Sequence, residues 1–125
     1  MFKKLTVSEI KVMEYFWREQ KALTCGEILE MARDEHWSSG YLHNTVRSLL
    51  EKEAIHVVGE EMTGKVWARR FEATLTYGEY VAKVALSSGI EKESVIYVIL
   101  AMAQLIGYKE FEDEIQKLIQ AAGKR

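Results

Sequence analysis

Two stretches decide the fold: Leu5-Thr6-Val7-Ser8-Glu9-Ile10 and Leu23-Thr24-Cys25-Gly26-Glu27-Ile28. Each is a threonine with a glutamate three residues on and isoleucine four residues on, preceded by leucine. The threonine oxygen accepts from a free N–H of the first turn, and the glutamate reaches back to the threonine's own N–H. The leucine and isoleucine close over the box as a hydrophobic staple. The pair predicts two helix starts. Ile10, Met13, Phe16 and Trp17 then repeat at helical spacing, giving a helix over about 7–19. Ile28, Leu29 and Ala32 do the same for a helix over about 25–35. The short connection at 20–23 makes the two helices neighbours.

Working outward, Ser38 or Ser39 is the next N-cap, for a third helix reaching about Glu53. Leu42, Val46, Leu49 and Leu50 form its buried face. Gly40, Asn44, Arg47, Ser48 and Glu51 lie opposite, with Tyr41 at the edge. The period then changes. Residues 55–60 and 66–71 read as strands, with Glu61-Met62-Thr63-Gly64-Lys65 as the turn between them. Three helices followed by a hairpin is the order of a winged helix.

The remainder reads as helical. Thr76 with Glu79 three residues on starts a helix that Ser88-Gly89 ends. Two more are expected over about 91–106 and 109–122. Val95, Ile96, Val98, Ile99, Met102, Ala103 and Ile106 make the first of these apolar over a band wider than one surface helix needs. A second copy of the chain is the simplest cover for such a band. The expected class is mainly α with a small β-hairpin wing (α+β), with a winged helix over 1–73 and a helical dimerisation region over 74–125.

Composition narrows the class further. The chain has 125 residues, 48% hydrophobic and 29% charged, which excludes a disordered chain. One cysteine excludes a disulfide scaffold. The longest apolar run, Val95–Ala103, is nine residues. A spanning helix needs about 20, so no membrane partner is expected. No basic start with a long apolar run precedes the first helix, so the expected location is the cytoplasm. Residues 1–70 carry 11 basic and 11 acidic side chains, and the net charge of -2 comes from the rest. Any positive surface must arise from how the chain folds, not from an excess of cations.

With these elements in place the sequence resembles the penicillinase-repressor (BlaI/MecI/CopY-type) family of winged-helix transcriptional regulators. The residues that carry the resemblance are Leu5-Thr6-x-x-Glu9-Ile10-x-x-Met13-x-x-x-Trp17, Leu23-Thr24-x-x-Glu27-Ile28 and Trp37-Ser38. Thr45, Leu49 and Lys52 inside the third helix and Gly64-Lys65-Val66 in the wing complete them. The resemblance covers about 5–72 and implies a homodimeric repressor on double-stranded DNA, with the C-terminal helices pairing the copies. Carried over by position, it implies DNA contacts at Ser38, Ser39, Gly40, Tyr41, Asn44, Thr45, Arg47, Ser48, Lys65, Arg69 and Arg70. It implies a dimer interface through Tyr80, Val84, Val95, Val98, Ile99, Met102, Ile106, Phe111, Ile115 and Leu118. The inducing signal would be an unidentified ligand or a protease. The chain departs from the family where Tyr41 and Asn44 replace threonine, Ser48 replaces arginine and Glu53 replaces glycine. Arg69-Arg70-Phe71 stands where an aromatic-x-proline normally ends the wing. The paired C-terminal cysteines of the copper-responsive branch are missing, as is an equivalent of the penicillinase branch's cleavage site.

Chemistry beyond binding has little support in the residues. His36, His43, His56 and Cys25 show no zinc spacing, and no phosphate loop, His-Glu-x-x-His or nucleophile elbow is present. No enzyme, cofactor or metal is expected. Trp17 reads as core and Trp37 as packing for the turn before the third helix. Cys25 reads as a small half-buried residue. Two other classes remain open at this point. One is a winged-helix protein-interaction module that does not read DNA, favoured by Glu51, Glu53, Glu60 and Glu61. The other is a ligand-sensing regulator with a pocket in the apolar C-terminal half.

Overall fold

The computed structural model describes residues 2–123. The elements run α1 (Val7–Glu19), α2 (Cys25–Met31), a 3-10 turn (Arg33–Glu35), α3 (Ser39–Glu51), β1 (Ile55–Thr63), β2 (Val66–Ala73), α4 (Tyr77–Ser87), α5 (Lys92–Ile106) and α6 (Tyr108–Gly123). Mostly α with one antiparallel hairpin, this is the winged-helix order. The chain divides into two compact units between Val84 and Ala85, inside α4.

Both capping boxes form. Thr6 Oγ1 accepts from Glu9 N at 3.2 Å while Glu9 Oε1 accepts from Thr6 N at 2.7 Å. Thr24 and Glu27 repeat the exchange at 3.1 and 2.9 Å. Thr76 and Glu79 make a third box on α4, and its hydrogen bonds hold the Glu79 carboxyl below its usual range. α1 keeps its expected bounds, but α2 is shorter: after Met31 the chain tightens into the 3-10 turn and reverses at His36, which has φ 57°. Val12, Met13 and Phe16 of α1, Ile28 of α2, and Leu42, Val46 and Leu49 of α3 bury one core with Ile55 and Phe71 of the hairpin.

The wing is longer than the sequence predicts. β1 and β2 pair from Ile55↔Ala73 to Thr63↔Val66, leaving only Gly64-Lys65 as the turn. Gly64 has φ 66°, which glycine adopts without a Cβ clash. The expected five-residue loop is therefore a two-residue one. A bulge at Val58 shifts the register between Val57 and Gly59. Leu23, between α1 and α2, adds a bridge to Phe71, donating at 2.8 Å and accepting at 2.9 Å. That bridge fixes the base of the wing against the helices.

α3 ends in a Schellman motif. Ala54 N donates to Leu49 O at 2.9 Å, and Glu53 N donates to Leu50 O at 3.0 Å. Glu53 holds the left-handed position at φ 60°, where helix ends favour glycine. Its Cβ is strained there, so Glu53→Gly is expected to raise stability by about 1 kcal/mol, read as a shift in the denaturant midpoint.

In the second unit α5 and α6 are packed together, with the backbone turning at Gly107 (φ 110°). Their apolar side chains are mostly exposed: Leu105 is 88% and Leu118 67% accessible. Among the described residues no single helix is long and apolar enough to cross a membrane.

Candidate nucleic-acid interface

Ser38 caps α3, its hydroxyl accepting from Tyr41 N at 3.0 Å. Trp37 packs behind this start, its ring centroid 6.0 Å from Tyr15 and 5.7 Å from Tyr41. From there the outward face of α3 presents Ser39, Gly40, Asn44 and Arg47, all exposed. Arg47 makes no ion pair among the described residues. Its guanidinium is available to a phosphate or a base edge.

His43, absent from the contacts expected on sequence, also stands on this face, one turn before Arg47. Its Nδ1 donates to the Ser39 carbonyl at 2.7 Å and lies 3.2 Å from Ser39 Oγ. A carbonyl only accepts, so Nδ1 carries a proton in this contact. The i, i+4 spacing with Arg47 is the sequence signal that points to it.

Strand alternation sorts the wing residues. Trp67, Arg69 and Phe71 share one face of β2, and Ala68 and Arg70 take the other. Phe71 lies in the core, so the face it occupies is the one turned toward the helices. Farther out along that face the Arg69 guanidinium lies 5.3 Å from the Phe71 ring centroid, and Trp67 is 62% exposed. Arg69 and Trp67 meet Ser39, His43 and Arg47 around a groove of about 430 Å³ between α3 and the wing. Lys65 is exposed in the turn at the wing tip. Cys25 borders the groove as well; burial pushes its thiol up, partly offset by the Arg69 charge.

Several expected site residues are placed otherwise. Thr45 is buried and its hydroxyl donates back to the Tyr41 carbonyl at 3.0 Å. Ser48 donates to Glu9 Oε2 of α1, so its hydroxyl is held inward. Arg70 is half-buried on the face of β2 opposite Arg69, so the two arginines do not act together. Tyr80 belongs to the core of the first unit: its hydroxyl accepts from Leu5 N at 3.0 Å, and its ring lies 5.7 Å from Trp17. That burial removes it from any surface a second copy could cover. Val84 packs partly against the same core.

Glu9 is more than the cap its spacing predicts: it is 3% exposed and receives the Lys52 ammonium at 2.6 Å. Burial alone would raise its carboxyl. The hydrogen bonds from Lys52, Ser48 and Thr6 outweigh that and bring it down to about 2. One carboxylate thus ties the start of α1 to the second half of α3. Among the described residues no group of three His, Cys, Asp or Glu side chains could hold a metal ion.

No protein-family model and no curated protein matches the chain. Among solved structures, the adhesin competence repressor (AdcR) from Streptococcus pyogenes is similar at 16% identity and a TM-score of 0.43. That match covers 97% of this chain and 81% of that one.

Proposed function

We propose that the chain is a DNA-binding transcriptional regulator, a homodimeric repressor that sets α3 in the major groove of a near-palindromic operator. The observation that carries the reading is the groove between α3 and the wing. It gathers Arg47, Arg69, His43 and Ser39 on one side of a chain whose first 70 residues have no net charge. Charge balance makes the clustering informative, because an excess of cations would place some of them anywhere. Asn44 and Arg47 have the donors and acceptors to read base edges. Lys65 and Arg69 suit phosphate, and the N–H groups behind Ser38 and Ser39 favour an anion.

The exposed apolar residues of α5 and α6 support pairing with a second copy. Val95, Val98, Ile99, Met102, Ile106, Phe111, Ile115 and Leu118 are the residues proposed to be covered. Two copies would then read half-sites about 34–36 Å apart.

The test is binding to the duplex immediately upstream of the chain's own gene, against random duplex, over several salt concentrations. Sedimentation of the same preparation reads the oligomeric state. The expected result is a dimer whose preference for the upstream duplex survives at moderate salt. Its affinity should fall roughly a thousandfold between 50 and 200 mM salt, as for about six neutralised phosphates. A monomer with equal affinity for both duplexes would overturn the reading and favour a protein-interaction module.

A further inference from the structure

A second cavity lies in the first unit, away from the α3–wing groove. It measures about 310 Å³, within the range of small-molecule sites. Its wall is aromatic: Trp17, Tyr80 and Phe2 line it, with the Phe2 and Tyr80 rings 5.9 Å apart and the Trp17 and Tyr80 rings 5.7 Å apart. The polar ends of the larger rings each hold one backbone partner. Trp17 Nε1 donates to the Leu75 carbonyl at 3.0 Å, and the Tyr80 hydroxyl accepts from Leu5 N. What the wall offers a ligand is therefore ring surface, with the Tyr80 hydroxyl proton as a donor beside it.

The rim is cationic. Lys3, Lys52 and Lys83 all line the cavity, against one carboxylate, the exposed Glu53. Neither Lys3 nor Lys83 forms an ion pair or a hydrogen bond among the described residues, though Glu79 on the same helix feels the Lys83 charge. A floor of aromatic rings beside the Lys3 and Lys83 ammonium groups, neither in contact with a carboxylate among the described residues, is complementary to one kind of molecule. We infer that this cavity binds a small organic monoanion, a carboxylate on an aromatic or short alkyl body. The body lies against Trp17 and Tyr80, and the carboxylate meets Lys3 and Lys83. Lys52 stands at the same rim with its ammonium on Glu9, so a bound carboxylate competes with Glu9 for that cation.

The cavity requires neither DNA nor a second copy of the chain, so its test is independent of both. Benzoate, hexanoate and the neutral benzamide are titrated calorimetrically into the full chain and into Lys3→Gln/Lys83→Gln. Both lysines are exposed, so the variant's unliganded melting temperature serves as the control for folding. At least one acid is expected to bind saturably with a Kd of roughly millimolar, as for a ligand of about nine heavy atoms. Benzamide should bind at least about fivefold more weakly, and the double variant should lose a similar factor for the acid. Benzoate above hexanoate identifies an aromatic body, and the reverse an alkyl one. No saturable binding by either acid overturns the proposal. So does acid binding that the double variant leaves unchanged, or benzamide binding as tightly as benzoate.

Discussion

Arg69→Ala is expected to weaken operator binding roughly tenfold or more and to flatten its salt dependence, while Arg70→Ala leaves both nearly unchanged. The two arginines are neighbours in sequence and identical in charge, so net charge cannot separate the variants. Their strand register does. Arg69 precedes Phe71 by two positions on the face turned to the helices and shares the groove with Arg47; Arg70 is half-buried on the opposite face. Taking one phosphate-binding cation from each protomer lowers the salt slope by about one unit per half-site, hence by about two for a dimer. Arg47→Ala acts on the same groove from α3. Where its guanidinium reads a base edge, the loss is about 1–3 kcal/mol per half-site, and the preference over random duplex falls with it. Filter binding or anisotropy at three salt concentrations measures all three variants. Equal effects of Arg69→Ala and Arg70→Ala would mean that the wing contributes only diffuse charge and that the groove is not the contact surface.

Local signals are legible in the sequence because their physics is local. A capping box is complete within four residues, so Thr6, Thr24 and Thr76 mark three helix starts that the structure repeats. The buried stripe of α3 follows from the 3.6-residue period, and Leu42, Val46 and Leu49 are buried as expected. The wing reads too short in the sequence for a physical reason. Glu61-Met62-Thr63 runs straight into Gly64 and is too short a stretch for alternation to mark it as strand; only the pairing with β2 does.

The misplaced site residues share a cause. Each side chain's position depends on its neighbours in the fold, and the farthest of those lie well along the chain. Ser48 meets Glu9 across 39 residues, and Tyr80 meets Leu5 across 75. A helical wheel puts Ser48 on the outward face, but cannot show that a carboxylate from α1 has reached it. In the same way, two adjacent arginines read as one basic patch until the strand register separates them. A position read from the helical wheel holds best where a side chain stands clear of such neighbours, as Arg47 and Asn44 are exposed on the outward face of α3.

Glu9 gives the sharpest test of such a partner. Glutamine closes a capping box almost as well as glutamate. Were Glu9 only a cap, Glu9→Gln would cost a few tenths of a kcal/mol at any pH. Instead the carboxylate is buried on the Lys52 ammonium, with its carboxyl lowered to about 2 from 4.5. A group lowered on folding adds stability that is present in full above its unfolded value and is lost as pH falls toward its folded one. Glu9→Gln is thus expected to cost about 3 kcal/mol near pH 7. The difference from the parent chain should shrink between about pH 4.5 and 2 and close near the lower end. Glu27→Gln is the matched control, since Glu27 closes the same box on α2 while exposed and makes no ion pair among the described residues. Urea midpoints for both variants at pH 7, 4.5 and 3 decide it. A pH-independent loss equal in the two variants would reduce Glu9 to a cap. A loss confined to Glu9→Gln and fading with acid would identify the ion pair as what fastens α1 to α3, and so as what holds the outward face of α3 in place.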